Sequence, residues 1–368
     1  MQRRNLKWVW GLILMGVVLV AVLNLHWITY VLHLARHQVS VVFDKKNISE
    51  ILLRSNLESG LRKKLELTLQ IRAYVENKYQ MQNSQSYLTL HDIGRNYLGY
   101  NITVTGEFSL EPEAFSFWPI GSFQYLGFFN KDLAEVWAAK YRARGFEVYL
   151  SEIGGYSTLG WFKDPLFSTQ LKWSDYALAR LIGHEIAHEK LYISGDTEFN
   201  EMLASFIERK IARDFSIFKG ENPLLFSPAQ QKKNTALVKD FFSHVLETRK
   251  ELEHIYAMPI TDNEKRIQKY EQMQKLQTWL HANKKQLSFI HVAHELMDAA
   301  RLTNAMLVQF HRYNPQSVAF EIVFEKCTGN YPCWFEAISV LEKCSRDMRR
   351  EWVKKDRTKY ADPKSFCK

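Results

Sequence analysis

The chain has 368 residues, 46% hydrophobic and 14% aromatic, with a formal net charge of +9. That is long and apolar enough to bury a large core, which points to one domain with helical elaborations. No repeat of fixed period and no Gly-rich phosphate loop occurs, and the positive charge gathers in residues 346–368, where nine Lys/Arg face four acids for a net of +5. This is read as a solvated basic C-terminal tail; no nucleic acid and no organic cofactor is expected.

In chain order, Arg3, Arg4 and Lys7 precede an uncharged apolar run over residues 8–23, and after Asn24 and His26 the apolar character continues through Trp27, Ile28, Tyr30, Val31 and Leu32. About 20 apolar residues span a bilayer, and a preceding basic cluster keeps the N-terminus in the cytoplasm. Residues 1–7 therefore read as a cytoplasmic basic start and 8–32 as a transmembrane signal anchor. The membrane becomes a partner through this N-terminal helix. The location that follows is a bacterial inner membrane, single pass, with the remainder of the chain periplasmic or otherwise extracytoplasmic. A cleaved signal peptide begins in the same way, but no small-x-small cleavage site follows the run.

Residues 33–90 read as mostly helical, with apolar spacing over 51–70 that turns Arg62, Lys63 and Lys64 outward. Residues 97–110 alternate as a strand does until Glu111-Pro112 breaks the pattern. A helix over 132–144 ends at Gly145. A strand over 146–152, a Gly154-Gly155 turn and a second strand over 156–162 complete a small antiparallel sheet, which Asp164-Pro165 stops. A strand there could pair with an extended peptide backbone, or be an ordinary hairpin. The fold expected is α+β, mainly helical, with a small antiparallel sheet and an N-terminal membrane segment.

The next segment carries the chemistry. Ser174-Asp175 suits a helix start, with a capping hydroxyl and an acid in the first turn. The helix that follows is apolar at Ala177, Leu178, Leu181, Ile182, Ile186 and Ala187, yet contains His184-Glu185-Ile186-Ala187-His188. Residues four apart share a helix face, so His184 and His188 can present nitrogens to one Zn²⁺. Burying two His and a Glu without a partner is costly, and a metal supplies the partner. Glu185 is placed to take a proton from water polarised by the metal, which makes the motif the zincin signature. Gly195 then turns the chain, and Asp196 or Thr197 can cap a second helix. On it Glu201, Ala204, Ser205 and Glu208 form one stripe, with small residues that permit close helix packing. Glu201 is the expected third ligand, giving a His₂Glu site of gluzincin type. Glu208 reads equally as a carboxylate behind a ligand His or as a solvated helix charge. If the protein is an aminopeptidase, Glu208 is also the carboxylate available on this stripe to bind a substrate amine.

Residues 228–300 read as a long charged helical hairpin with its turn at residues 259–263. His291, His294 and Glu295 follow with i, i+3 spacing, a pattern more often found on surface or capping residues than on ligands. Tyr313 or His311 could donate to an oxyanion near the metal, and the sequence leaves the choice open. Cys327, Cys333, Cys344 and Cys367 permit three disulfide connectivities; Cys327 and Cys333 flank a turn that a bridge could staple. Taken together, residues 33–345 read as the zinc peptidase domain.

Several segments carry a resemblance: Trp118-Pro119-Ile120-Gly121, residues 125–129, residues 145–149, the stretch from Tyr156 to Leu166, His184–His188, and Gly195-Asp196-Thr197-Glu198-Phe199-Asn200-Glu201, with weaker matches at Thr303-Asn304-Ala305, Tyr313 and Phe320. By these the chain resembles the bacterial predicted aminopeptidase family. The resemblance implies a zinc peptidase acting on peptides, with Glu201 in an Asn200-Glu201 element and Tyr156, Ser157, Thr158, Leu159 and Gly160 lining the substrate cleft. Asn200 is then a second candidate, beside Glu208, for supporting a ligand or binding an amine. No Gly-x-Met-Glu-Asn element is present, so exo- and endopeptidase action both stay open. Other readings are a non-catalytic scaffold with structural zinc and a zinc hydrolase of non-peptide amides.

Overall fold

The computed structural model describes residues 25–81, 84–117, 121–153, 163–310, 318–355 and 362–367. The architecture is mainly helical α+β with small sheets. Helix α1 (Leu25–Phe43) is followed by a short helix, Ile48–Leu52, and then by α2 (Ser59–Tyr79). The single apolar stretch over 51–70 is thus broken. The Glu58 carboxylate accepts from the Gly60 and Leu61 amides and starts a new helix there, while Arg62 closes the gap by donating to the carbonyls of Leu52 (2.8 Å) and Arg54 (2.7 Å).

The main sheet has β1 (Gly99–Thr105) at its centre, with β2 (Leu126–Phe128) and, after helix α3 (Lys131–Ala143), β3 (Glu147–Ile153) antiparallel on either side. The Asn130 side chain caps α3 by accepting from the Leu133 amide, and Gly145, at φ +85°, turns the chain back into β3. Alternation gives the sheet two faces. Ile102, Val104 and Val148 face a cluster with Trp137 of α3 and Tyr30 of α1. The other face is more polar and carries Thr103, Tyr149 and Ser151. A second, three-stranded sheet joins Lys46–Asn47, Thr89–His91 and Leu166–Phe167, the last two in parallel. A two-stranded ribbon pairs Phe115–Phe117 with Gly121–Phe123.

The transmembrane anchor expected over 8–32, with its inner-membrane location and membrane partner, is corrected here. Among the described residues no helix is long and apolar enough to cross a membrane. Residues 1–24 lie outside the described residues. Residues 25–32 belong to α1, whose aromatics have partners within the protein: Tyr30 is buried against Phe117, Phe128 and Trp137, and Trp27 packs on Phe115, Phe117 and Trp137. Farther along, Arg36 and His37 make α1 too polar for a bilayer.

The largest core surrounds α4 (Asp175–Lys190) and α5 (Thr197–Phe218), packed against α2 and the C-terminal helices. Helices α6 (Pro228–Ala257) and α7 (Asp262–Ala282) form a pair with its own apolar cluster. Glu147 of β3 pins this pair to the sheet: one carboxylate oxygen meets Lys269 at 2.6 Å and the other accepts from the Asn304 amide at 2.7 Å. Near the C-terminus, Cys327 bonds to Cys333 and Cys344 to Cys367, which resolves the connectivity that spacing left open. Between the last two cysteines, helix Arg346–Val353 buries Trp352 fully, so this part of the basic segment is folded into the protein.

Candidate metal centre

Helix α4 starts where Ser174 Oγ accepts from the Ala177 amide at 3.1 Å, and its acidic first turn suits the helix N-terminus. The link to α5 turns at Gly195, φ +78°. Asp196, only 1% exposed, then caps α5 through the Phe199 amide. Asn200 fastens the link by bonding Ile193 twice, accepting from its amide at 2.9 Å and donating to its carbonyl at 2.8 Å. The two helices approach closely because residue 183 is glycine: a Cβ there would lie 2.8 Å from Ile211 Cδ1 and 3.1 Å from Ile211 Cβ. That approach brings the residue after Gly183, His184, against the Glu201 stripe.

Three donors converge. His184 Nε2 lies 3.1 Å from His188 Nε2 and 3.2 Å from Glu201 Oε2, and His188 Nε2 is 3.5 Å from Glu201 Oε1. Zinc–ligand bonds of 2.0–2.2 Å in a tetrahedron require donor separations of roughly 3.3–3.6 Å. One separation lies in that range and two fall slightly under it, so two imidazoles and a carboxylate converge within reach of a single ion, and the group could hold a metal ion.

The electrostatics favour positive charge at this point. Burial alone would lower the His184 pKa, but hydrogen bonds to Glu201 and Glu208 outweigh it and raise it to about 10. The His184 and His188 contacts lower Glu201 to about 2. Behind the cluster, Glu208 Oε2 meets His184 Nδ1 at 2.8 Å. Its other oxygen accepts from Arg180, by Nε at 3.0 Å and by a second guanidinium nitrogen. Burial would raise the Glu208 pKa; His184 and Arg180 hold it below the ordinary carboxylate value. This relay fixes the His184 ring with Nε2 toward Glu201. Among the described residues the buried His188 Nδ1 has no hydrogen-bond partner; the ring meets His184 and Glu201 through Nε2 and contacts Tyr192.

Other residues singled out in the sequence take different positions. Glu185 is half-buried on α4, beside Tyr87. Asn200 is occupied with Ile193, and Glu208 with His184 and Arg180. Tyr156, Ser157, Thr158, Leu159, Gly160, His311 and Tyr313 lie outside the described residues. His294 Nε2 is 3.1 Å from the Ser288 carbonyl, and Glu295 accepts from the Tyr149 hydroxyl at 2.6 Å, so neither joins the cluster.

Three supports went unread in the sequence. Arg180 stands one helical turn before His184 on the same face, a spacing that could have revealed it. Arg349 donates to Asp196 at 2.6 Å and to the Cys344 carbonyl, tying the helix link to the C-terminal segment. Tyr87 is buried at φ +58°, with its amide on the Asp164 carbonyl at 2.7 Å. Burial, then the carboxylates of Glu185, Asp164 and Glu189, push its pKa well up. These two contacts span 153 and 77 residues, and no local pattern signals them.

Over residues 29–353 the chain matches the family described as putative aminopeptidase. No curated protein and no solved structure matches it.

Proposed function

The chain belongs to the putative aminopeptidase family, and on that premise we propose that it is a zinc-dependent peptidase that removes residues from the amino end of peptides. The observation that carries the metal is the set of donor separations, 3.1, 3.2 and 3.5 Å, among His184, His188 and Glu201. The donor types, two imidazoles and one carboxylate, are those of hydrolytic zinc sites that keep a coordination position open. Bound there, zinc would act as a Lewis acid on the scissile carbonyl and make water more acidic.

The remaining work falls to the chain. Glu208, braced by Arg180, keeps His184 in the tautomer whose Nε2 is free to ligate. Glu185, on the same helix turn as the ligands, accepts the proton of the attacking water and returns it to the leaving amine. Asn200 and Asp196 set the start of α5 and so the height at which Glu201 meets the two His.

The reading is tested on the purified full chain. It should bind about one equivalent of zinc, lose peptide hydrolysis on chelation and regain it on adding zinc back. Peptides with a free amino terminus should be cut and their N-acetylated forms spared. Equal cleavage of both would replace aminopeptidase by endopeptidase action. Zinc bound without hydrolysis of any peptide would make the metal structural.

A further inference from the structure

We propose that Arg349, on the helix Arg346–Val353, is a positioning residue for the metal centre: it fixes the start of α5 and, through it, the carboxylate of Glu201. One face of that helix meets the first turn of α5. Arg346, Arg349 and Arg350 share the face by their i, i+3 and i+4 spacing, and Asp196 and Glu198 stand opposite them. Trp352, fully buried with its ring 5.5 Å from that of Phe320, anchors the helix in the core. Cys344, just before the helix, is bridged to Cys367 beyond it. The helix therefore meets α5 as a held element and not as a loose tail.

The three arginines differ in what they hold. Arg350 reaches Glu198 at 3.1 Å where both side chains are about half exposed, a contact of small weight. Arg346 stops 3.7 Å from Asp196 Oδ1, beyond hydrogen-bond reach. Arg349 is 6% exposed and Asp196 1%. Arg349 Nε donates to Asp196 Oδ2 at 2.6 Å, and its guanidinium also donates to the carbonyls of Leu341 and Cys344. The same Asp196 accepts from the Phe199 amide through Oδ1 at 3.4 Å and from the Asn200 amide through its carbonyl at 3.1 Å. Those bonds begin α5, and Glu201 is the next residue after Asn200. Without Arg349 a buried carboxylate would stand unpaired, which is costly enough to displace it. Its displacement loosens the cap that sets where Glu201 lies.

The inference rests on the metal reading of His184, His188 and Glu201, and not on the peptidase reading. The experiment is calorimetric zinc titration of the metal-stripped full chain. The visible spectrum of the Co²⁺-loaded protein reports ligand geometry, and thermal unfolding of the metal-free protein checks folding. Arg349→Met should weaken zinc about tenfold, the lower end of the range for a group that supports a ligand, and should alter the Co²⁺ spectrum, because Glu201 moves. Arg349→Lys keeps a charge on Asp196 and gives up the fork to the carbonyls; it should recover most of the affinity, staying about threefold below the parent. Asp196→Asn combined with Arg349→Met keeps a capping oxygen and removes the unpaired charge, so the double variant should bind zinc more tightly than Arg349→Met alone. A double variant no tighter than the single would contradict the route through Asp196. Arg350→Met is the control and should bind zinc as the parent does. A purely structural role would lower the unfolding temperature of Arg349→Met and leave its zinc affinity and Co²⁺ spectrum, measured well below unfolding, at parental values; that result overturns the proposal. If Arg349→Met does not fold, Arg349→Lys decides, and parental affinity and spectrum in it overturn the proposal equally. A parent that binds no zinc defeats the metal reading and this inference with it, whereas a zinc-binding parent with indifferent Arg349 variants defeats the inference alone.

Discussion

Glu198 and Glu201 lie one turn apart on α5, and their surroundings separate them. Glu198 reaches outward to Arg350 at 3.1 Å across a half-exposed surface, a contact of small energetic weight. Glu201 meets both His184 and His188. Glu201→Ala should therefore weaken zinc by more than the roughly 10–100-fold typical of losing a group behind a ligand, whereas Glu198→Ala should leave zinc content unchanged. Glu208→Gln, which removes the charge behind His184, should fall in that 10–100-fold range. Metal analysis of the three purified variants checks this; zinc loss in Glu198→Ala alone would contradict the assignment of Glu201. The grouping of His184, His188 and Glu201 was legible because helical spacing is local: four residues on α4, and a stripe at three, four and seven on α5. The function of Asn200 was not, since its partner is the Ile193 backbone, which no side-chain pattern marks.

At the scale of elements, the close contact of α4 and α5 depends on Gly183. Its missing Cβ would meet the branched end of Ile211, including the fixed Ile211 Cβ at 3.1 Å. Gly183→Ala should separate the helices and destabilise the protein by about 1–3 kcal/mol, the usual cost of overpacking, and should weaken zinc as well, because the displacement falls one residue from His184. Thermal unfolding and zinc titration measure the two effects; a variant as stable as the parent with unchanged zinc affinity would show that the helices do not need this approach. The starts of α4 and α5 were readable from Ser174 and Asp196, whose caps are short-range. Over residues 25–32 the N-terminal segment misled because apolar residues with Trp and Tyr suit a bilayer and a protein core alike. What distinguishes them is the set of partners of Trp27 and Tyr30, Phe115, Phe117, Phe128 and Trp137, which lie 85 or more residues along the chain.

For the whole molecule, Asp214 is a junction. On α5, it accepts from the hydroxyls of Tyr79 (3.2 Å) and Tyr331 (3.0 Å) and pairs with Lys78 (3.0 Å) and Arg213 (2.8 Å), joining α2, α5 and the C-terminal helices. Burial would raise its pKa, but Arg213 and Lys78 outweigh it and hold it below the ordinary value. A carboxyl lowered in the folded state adds stability that is full above its unfolded pKa, about 3.9, and is lost as pH falls through the folded value. Asp214→Asn should thus be less stable than the parent at pH 7, with the difference shrinking below about pH 4; a constant difference across that range would assign the effect to packing instead. Such a junction draws on residues 78 to 331, so only the assembled fold displays it. The central claim, that this scaffold holds a hydrolytic zinc with Glu185 as the proton carrier, is tested most directly by the hydrolysis rate and zinc content of Glu185→Gln. The account predicts full zinc occupancy with peptide hydrolysis reduced by more than about a hundredfold, the contribution of a general base; near-normal turnover by the zinc-loaded variant would contradict it.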